Sequence, residues 1–290
     1  MALTITLIVF YLISLGVIDK FFRYSRSENN RTLYKSYTIT NILKISINKT
    51  SLFSLIISLL RFNSILYLMI SILLGNLFGS DIKIYEIIFI LTYLLLSEFL
   101  VFLKTKKKSE INEVSMFIMI MILTLVCIGV TKESLNIGIS TKVEWLGVNV
   151  FLSGWEIFNI PFLLIPIIYI LVFSYTRLLE SYRQINIKTA DRLFDFLSEG
   201  FLYIYLVTLF IKTVFGGLED LSLTGYDFVL PYFKIINLTI KFLIISIVVR
   251  LLIRFMPTQN NKKRSKNINL TVALLLVINM CFVLYVRNLH

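Results

Sequence analysis

Histidine, cysteine and charged residues are scarce in this 290-residue chain. Asp, Glu, Lys and Arg make up 16% of it, whereas an ordinary soluble domain has about 25%. The single histidine is His290, the last residue, which excludes histidine-based catalysis, haem ligation and zinc binding. Cys127 and Cys281 lie inside apolar runs and provide neither a disulfide framework nor a metal-ligand cluster, so we expect no metal site.

Motifs of self-contained soluble enzymes are also absent from the sequence. It has no P-loop, no Gly-rich dinucleotide fingerprint, no nucleophile elbow and no HExxH pair. ATPase, dehydrogenase, hydrolase and metalloprotease activities therefore lack support, and we expect no catalytic centre within this chain. No segment resembles a nucleic-acid-binding module, so we attribute the net charge of +12 to membrane topology and contact with lipids rather than to nucleic acid.

Long apolar runs dominate the sequence instead. Hydrophobic residues make up 57% of the chain, and its mean hydropathy is +0.84. The runs recur along the whole length and are long enough to cross a hydrocarbon core of about 30 Å. The sequence therefore predicts a single all-α transmembrane domain over residues 1–290, with about eight helices. We place them at roughly 2–18, 51–78, 85–103, 114–130, 157–174, 200–215, 229–255 and 268–286.

Basic residues separate by loop in a way that supports this number of helices. Nineteen Lys and Arg residues lie in the loops after the first, third, fifth and seventh helices, against three in the alternate loops. By the positive-inside rule, the four basic loops face the cytoplasm or the mitochondrial matrix, and both termini lie on the non-basic side.

A few charged residues interrupt the apolar runs. A charge at the centre of a membrane helix costs about 2.5–3.5 kcal/mol on insertion scales, so such residues usually face a bundle interior or a water-filled path. Arg61 interrupts the second helix, and Glu98, Glu113, Glu199 and Arg250 mark later ones. Because a carboxyl group in a low-dielectric site can exchange protons near neutral pH, the three glutamates are candidates for a proton path. A structural hydrogen bond or an interfacial position is the alternative for each.

The densest polar stretch is predicted to be a loop over 174–198. Its composition, with Leu and Phe between the charges, is typical of a segment that lies at the membrane interface and contacts a partner, and a solvated loop fits equally well. The charged residues of this stretch and its border are Arg177, Glu180, Arg183, Lys188, Asp191, Arg192, Asp195 and Glu199.

Two segments resemble the quinone-site membrane subunit of respiratory complex I, known as subunit 1 or the H subunit. The run LFDFLSEGFLYIYLVTLFIKTVFGG, 193–217, is similar to the family's approximate FALFFLAEY, which an apolar helix and LFLGG follow. It places Glu199 on the family's glutamate. The run KFLIISIVVRLLIRFMP, 241–257, resembles the family's penultimate helix and places Arg250 on its arginine.

Earlier segments agree with this family in the same order. VIDKFFRYSRSENN, 17–30, resembles its first loop, with Asp19 and Lys20 at the charged pair, and NILKISINK, 41–49, resembles its ADxxKLxxKE. INEVSMFIMIMILTLVCIG, 111–129, resembles its fourth helix, with Glu113 at the glutamate. The family's NRxPFDLxExExEL loop is replaced by LLESYR after Arg177, so the resemblance is to a strongly diverged member.

The resemblance implies a membrane subunit of proton-pumping NADH:quinone oxidoreductase. Such a subunit forms part of the quinone chamber, links quinone reduction to proton translocation, binds no cofactor itself, and depends on FMN and iron–sulfur clusters in partner subunits. It contacts other membrane subunits, the hydrophilic arm, quinone and lipids. Glu113, Glu199, Glu98 and Arg250 would then belong to the proton path. The residues expected to face the quinone chamber or the arm are Asp19, Lys20, Arg177, Glu180, Asp191, Arg192 and Asp195.

The sequence leaves alternatives for the location of the protein and for its function. A composition rich in Ile, Leu, Phe, Lys, Asn and Tyr suggests an A/T-rich genome, which favours the mitochondrial inner membrane, with a bacterial plasma membrane as the alternative. The alternative function is that of a non-catalytic structural or assembly subunit, or of a bacterial membrane transporter, in which the same charges tie helices together.

Overall fold

The computed structural model describes residues 10–18, 51–78, 84–104, 108–134, 144–145, 148–149, 163–184, 190–214, 230–255, 271–272, 274–278 and 281. Over these residues the chain is helical apart from a few residues next to helices and one short hairpin, which confirms the predicted all-α class. The helices are α1 (10–18), α2 (Leu52–Phe78), α3 (Ile84–Lys104), α4 (Lys108–Ser134), α5 (Leu164–Gln184), α6 (Ala190–Thr213) and α7 (Leu230–Phe255). Residues 271–272, 274–278 and 281 are helical too.

The hairpin consists of two antiparallel two-residue strands, β1 (Glu144–Trp145) and β2 (Val148–Asn149). Glu144 is opposite Asn149, and Trp145 is opposite Val148. Two such short strands contribute little burial, so the fold depends on packing between helices.

Four helices in the described part of the chain are long and apolar enough to cross a membrane. Their spans are Leu52–Ile70 in α2, Leu164–Ser181 in α5, Ala190–Ile211 in α6 and Ile235–Ile253 in α7. A shorter apolar stretch, Glu113–Cys127, lies in α4. Helices of about 20 apolar residues match the thickness of the hydrocarbon core, so these four satisfy the length requirement for membrane spans.

The predicted boundaries are correct for three helices. They are wrong for α4, predicted over 114–130 and observed over Lys108–Ser134, and for the polar stretch between α5 and α6. The bounds predicted for α2, α3 and α7 lie within one residue of those observed. The expected loop over 174–198 is wrong, because α5 continues to Gln184 and α6 already begins at Ala190. Local polarity suggested a loop there, but these polar residues share helix faces and find partners on other helices.

Helix α6 is the centre of the bundle. It packs against α2, α5 and α7, and α3 and α4 extend the layer beyond α2 and α5. Of the residues in its span, 78% are buried inside the protein, against 33–44% for the other three spans. The other helices leave apolar surface exposed, as a lipid-facing bundle requires, whereas most of α6 is covered by its neighbours.

Contacts between side chains determine the relative directions of α2, α3, α5 and α6. Residues early in α2 contact residues early in α6, and residues late in α3 and α5 contact the same region. Helices α2 and α6 are therefore parallel to each other and antiparallel to α3 and α5. The start of α2, the end of α3, the end of α5 and the start of α6 all lie at one end of the bundle, which we call the basic end because the predicted basic loops adjoin it.

Helix α1 crosses α6 and α7 in close contact. The Tyr11 ring stacks on Phe242 with centroids 4.2 Å apart, and its hydroxyl lies 3.3 Å from Thr239 Oγ1. A Cβ atom at Gly200 would lie only 2.8 Å from Leu12 Cδ2. The absence of a side chain at Gly200 leaves room for the Leu12 side chain between α1 and α6, as small residues do at membrane-helix interfaces.

Candidate functional site

Four charged side chains from four helices meet inside the bundle. Arg61 of α2 donates from Nη2 to Glu199 Oε1 of α6 over 2.7 Å. Arg177 of α5 donates from Nη2 to the same Glu199 oxygen and from Nη1 to Glu98 Oε2 of α3, each over 2.7 Å. Arg61 Nη2 also lies 3.5 Å from Glu98 Oε1. We call these four residues the charge cluster.

The charge cluster is buried and electrically balanced. The exposed fraction of the side chain is 0% for Glu98, 5% for Arg61, 7% for Glu199 and 12% for Arg177. Two guanidinium groups face two carboxylates, so no formal charge is left over within the group. An unpaired ion is strongly unfavourable in such surroundings. The equal number of positive and negative groups therefore makes four buried ionised groups tolerable.

Helical geometry places the charge cluster well away from the ends of the four helices. Glu199 and Arg61 each follow the first residue of their helices by nine positions, which is about 14 Å at 1.5 Å per residue. Glu98 precedes the end of α3 by six positions, about 9 Å, and Arg177 precedes the end of α5 by seven, about 10 Å. The four residues therefore lie about 9–14 Å from the basic end. In helices that cross a hydrocarbon core of about 30 Å, this distance is roughly a third to a half of its thickness.

Two aromatic rings flank Arg177. The centroids of the Phe117 and Phe173 rings lie 5.8 Å and 5.9 Å from Arg177 Cζ, within the range of a cation–π interaction. The two rings are stacked on each other with centroids 4.7 Å apart. They close the α4 and α5 side of the charge cluster with apolar surface and hold the guanidinium in place.

A second polar group lies between the charge cluster and the basic end. Lys104 Nζ of α3 donates to Asp195 Oδ2 over 2.6 Å and to Ser58 Oγ over 2.9 Å, and it lies 3.4 Å from Asp191 Oδ2. Ser58 Oγ also lies within hydrogen-bond distance of Asp195 Oδ1, at 2.9 Å, and Ser54 Oγ donates to Asp191 Oδ2 over 2.8 Å. With 22% of its side chain exposed, Lys104 is more accessible than any member of the charge cluster.

Helical spacing joins the two groups into one continuous polar stripe. The acids of α6 recur every four residues, as do the first polar residues of α2, so each set lies along one face of its helix. The polar stripe consists of Ser54, Ser58, Arg61, Glu98, Lys104, Arg177, Asp191, Asp195 and Glu199. It extends from the basic end into the middle of the bundle, with two acids, two hydroxyls and a lysine nearer that end and two acids and two arginines further in.

Of the residues predicted for a proton path, the structure brings Glu98 and Glu199 together. Glu113 is exposed on α4, and Arg250 is half-buried on α7. Arg61 and Arg177 make ion pairs with the Glu199 carboxylate.

The residues predicted for the quinone chamber or the arm divide between the polar stripe and the surface. Arg177, Asp191 and Asp195 belong to the stripe, on helices rather than on the expected loop. Glu180 is exposed on α5, and Arg192 is half-buried on α6. The first-loop pair predicted for the same role, Asp19 and Lys20, lies outside the described residues.

Sequence reasoning missed three side chains of the stripe and gave a fourth no role. Lys104 was counted only as a basic loop residue, Ser54 and Ser58 were not considered, and Arg61 was noted only as an interruption of an apolar run. The available signal was the four-residue spacing of Asp191, Asp195 and Glu199, which predicts one polar helix face. That face requires polar partners on the helices opposite.

The stripe offers acid–base and hydrogen-bonding chemistry rather than metal ligation. Among the described residues, no group of three or more His, Cys, Asp and Glu side chains is placed to hold a metal ion. Comparison of the chain with protein-family models, with curated proteins and with solved structures gave no match in any of the three.

Proposed function

We propose that this chain is a membrane subunit of a proton-translocating NADH:quinone oxidoreductase and that its polar stripe moves protons during quinone reduction. One observation carries the proposal. Glu199, the residue that the resemblance places on the glutamate of the quinone-site subunit, lies at the inner end of a polar stripe that begins at the basic end of the bundle.

The chemistry of the stripe supports this role. Two carboxylates in the membrane interior are rare, and they are typically functional where proton transfer is required. Each carboxylate is held by an arginine, so uptake of a proton by either one would release an arginine to the other. Asp195 and Asp191 lie one and two turns nearer the basic end on the same face of α6 and pair with the more exposed Lys104. They would be the next acids on a proton route from the basic side.

The proposal includes a complete topology. About eight transmembrane helices put both termini on the non-basic side and the ends of α3 and α5 on the matrix or cytoplasmic side. The hydrophilic arm, with its FMN and iron–sulfur clusters, would dock at the basic end, and quinone would enter from the bilayer. Composition favours the mitochondrial inner membrane over a bacterial plasma membrane.

A second candidate rests on the electrical balance of the charge cluster. Two arginines and two glutamates that join α2, α3, α5 and α6 through contacts of 2.7–3.5 Å are also suited to fastening four helices together. In that case the chain is a structural or assembly subunit, or a transporter in which the cluster is static.

Extraction in mild detergent followed by native electrophoresis tests the assignment. We expect mass spectrometry to find this chain in a large band that stains for NADH oxidation. Migration as a small species without that activity would exclude the complex I assignment and leave the transporter. A chain present in the active band whose Glu199→Gln variant still pumps normally would favour the structural subunit.

A further inference from the structure

The charge cluster contains hydrogen-bonding atoms that its own members do not use. In the part of the chain that the structure describes, Arg61 Nε, Glu98 Oε1 and Glu199 Oε2 are buried and make no hydrogen bond. Leaving a buried polar atom without a partner costs about 1–3 kcal/mol, and more for a charged group, so three in one place call for an explanation.

The three atoms all lie near one nitrogen, Arg61 Nη2. Arg61 Nε is bonded to the same carbon as Nη2, and Glu199 Oε2 is bonded to the same carbon as Oε1, which accepts from that Nη2 over 2.7 Å. Glu98 Oε1 lies 3.5 Å from the same nitrogen, close enough for charge attraction but too far for a well-formed hydrogen bond. One donor and two acceptors therefore lie around Arg61 Nη2.

The chemistry of the three atoms defines the ligand that fits them. It must accept one hydrogen bond, from Arg61, and donate two, to Glu98 and Glu199. It must also be uncharged, because the two arginines and two glutamates already balance and an added ion would be buried without compensation. A water molecule has this set of donors and acceptors, and buried waters typically make about three hydrogen bonds.

We propose that the charge cluster is a water-binding site in which one water joins Arg61 Nε, Glu98 Oε1 and Glu199 Oε2. The two glutamates make no direct contact that would pass a proton between them, and both depend on the arginines. A shared water connects α3 with α6 and gives the carboxylates a common hydrogen-bonded intermediate. Its part in proton transfer rests on the proposed function, whereas its presence does not.

Hydroxyl-radical footprinting by X-ray radiolysis of the full chain in lipid nanodiscs tests the site, because bound water produces radicals that oxidise nearby side chains. Phe117 is the reporter, since it is 0% exposed and its ring lies 5.8 Å from Arg177 Cζ. Phe210 is the control, because it is also 0% exposed but lies eleven residues beyond Glu199 on α6, about 16 Å along the helix. We expect Phe117 to be oxidised several-fold faster than Phe210.

A double variant of this protein distinguishes oxidation by this water from oxidation caused by general hydration of the bundle. The double variant Arg61→Leu with Glu199→Leu removes two of the three binding atoms and keeps the balanced Arg177–Glu98 pair, so we expect the Phe117 rate to fall to that of Phe210. Equal rates for the two phenylalanines in the unmodified chain would overturn the proposal, as would a Phe117 rate that the double variant leaves unchanged. If Phe117 is oxidised fast but the chain never assembles with an NADH-oxidising arm, the water site is supported and the proposed function is contradicted.

Discussion

Arg61 Nη2 and Glu199 Oε1 lie 2.7 Å apart although 138 residues separate them in the chain. This pair joins α2 to the central helix α6 inside the bundle. Both side chains are buried there, so neither charge would be tolerable alone. The contact therefore selects how the two helices pack, because a shift of one helical turn would separate both charges from their partners.

The first prediction concerns this pair. Arg61→Gln or Glu199→Gln alone leaves three charges in the cluster and one without compensation, so each is expected to destabilise the protein by about 3–5 kcal/mol. The double variant keeps Arg177 paired with Glu98 over 2.7 Å and is expected to be more stable than either single variant. Thermal unfolding in one detergent measures all four proteins. Additive losses in the double variant would contradict the coupling.

The second prediction concerns the approach of α1 to α6. A Cβ at Gly200 would meet Leu12 Cδ2 at 2.8 Å, whereas a Cβ at Gly16 would have no atom within 4 Å. Gly200→Val is therefore expected to lower the unfolding temperature and to loosen α1. A side chain added at the open position, Gly16→Ala, is expected to be neutral or to stabilise by up to about 1 kcal/mol through helix propensity.

Shortening the opposing side chain tests the cause of that effect. Leu12→Ala combined with Gly200→Val should recover part of the loss, because the atom that the new side chain meets is gone. Equal unfolding temperatures for Gly200→Val and Gly16→Ala would show that α1 does not pack as described.

The third prediction concerns orientation. In a chain with Cys127 and Cys281 replaced by serine, Asn186→Cys lies between α5 and α6, and Asp220→Cys lies between α6 and α7. Because α6 is long enough to cross the membrane, an impermeant maleimide should label Asn186→Cys from the basic side only and Asp220→Cys from the other side only. Labelling of both positions from one side would show that α6 does not cross the membrane. It would then contradict the position of the charge cluster within the membrane.

The sequence was sufficient to predict the fold class and the ends of α2, α3 and α7, because apolar length sets the first and flanking polar residues set the second. It also singled out Glu98 and Glu199 as unusual. It could not pair them with Arg61 and Arg177, since the partners are set by how four distant helices pack. The expected loop over 174–198 failed for a related reason. A polar stretch suggests a loop when the side chains that pair with it are unknown. Asp191 and Asp195 nevertheless lie on a helix, where Ser54, Ser58 and Lys104 of other helices pair with them.

The number of protons moved per NADH oxidised, measured in sealed membranes that contain the assembled complex with Glu199→Gln, is the most direct test of the proposed coupling. The control is Tyr203→Phe, one turn further along α6, which removes a buried hydroxyl that lies 3.3 Å from Ser246 Oγ. Our account predicts that Glu199→Gln lowers the ratio of protons to electrons while Tyr203→Phe preserves it. An unchanged ratio with Glu199→Gln, in a complex that assembles normally, would contradict the central role given to this carboxylate.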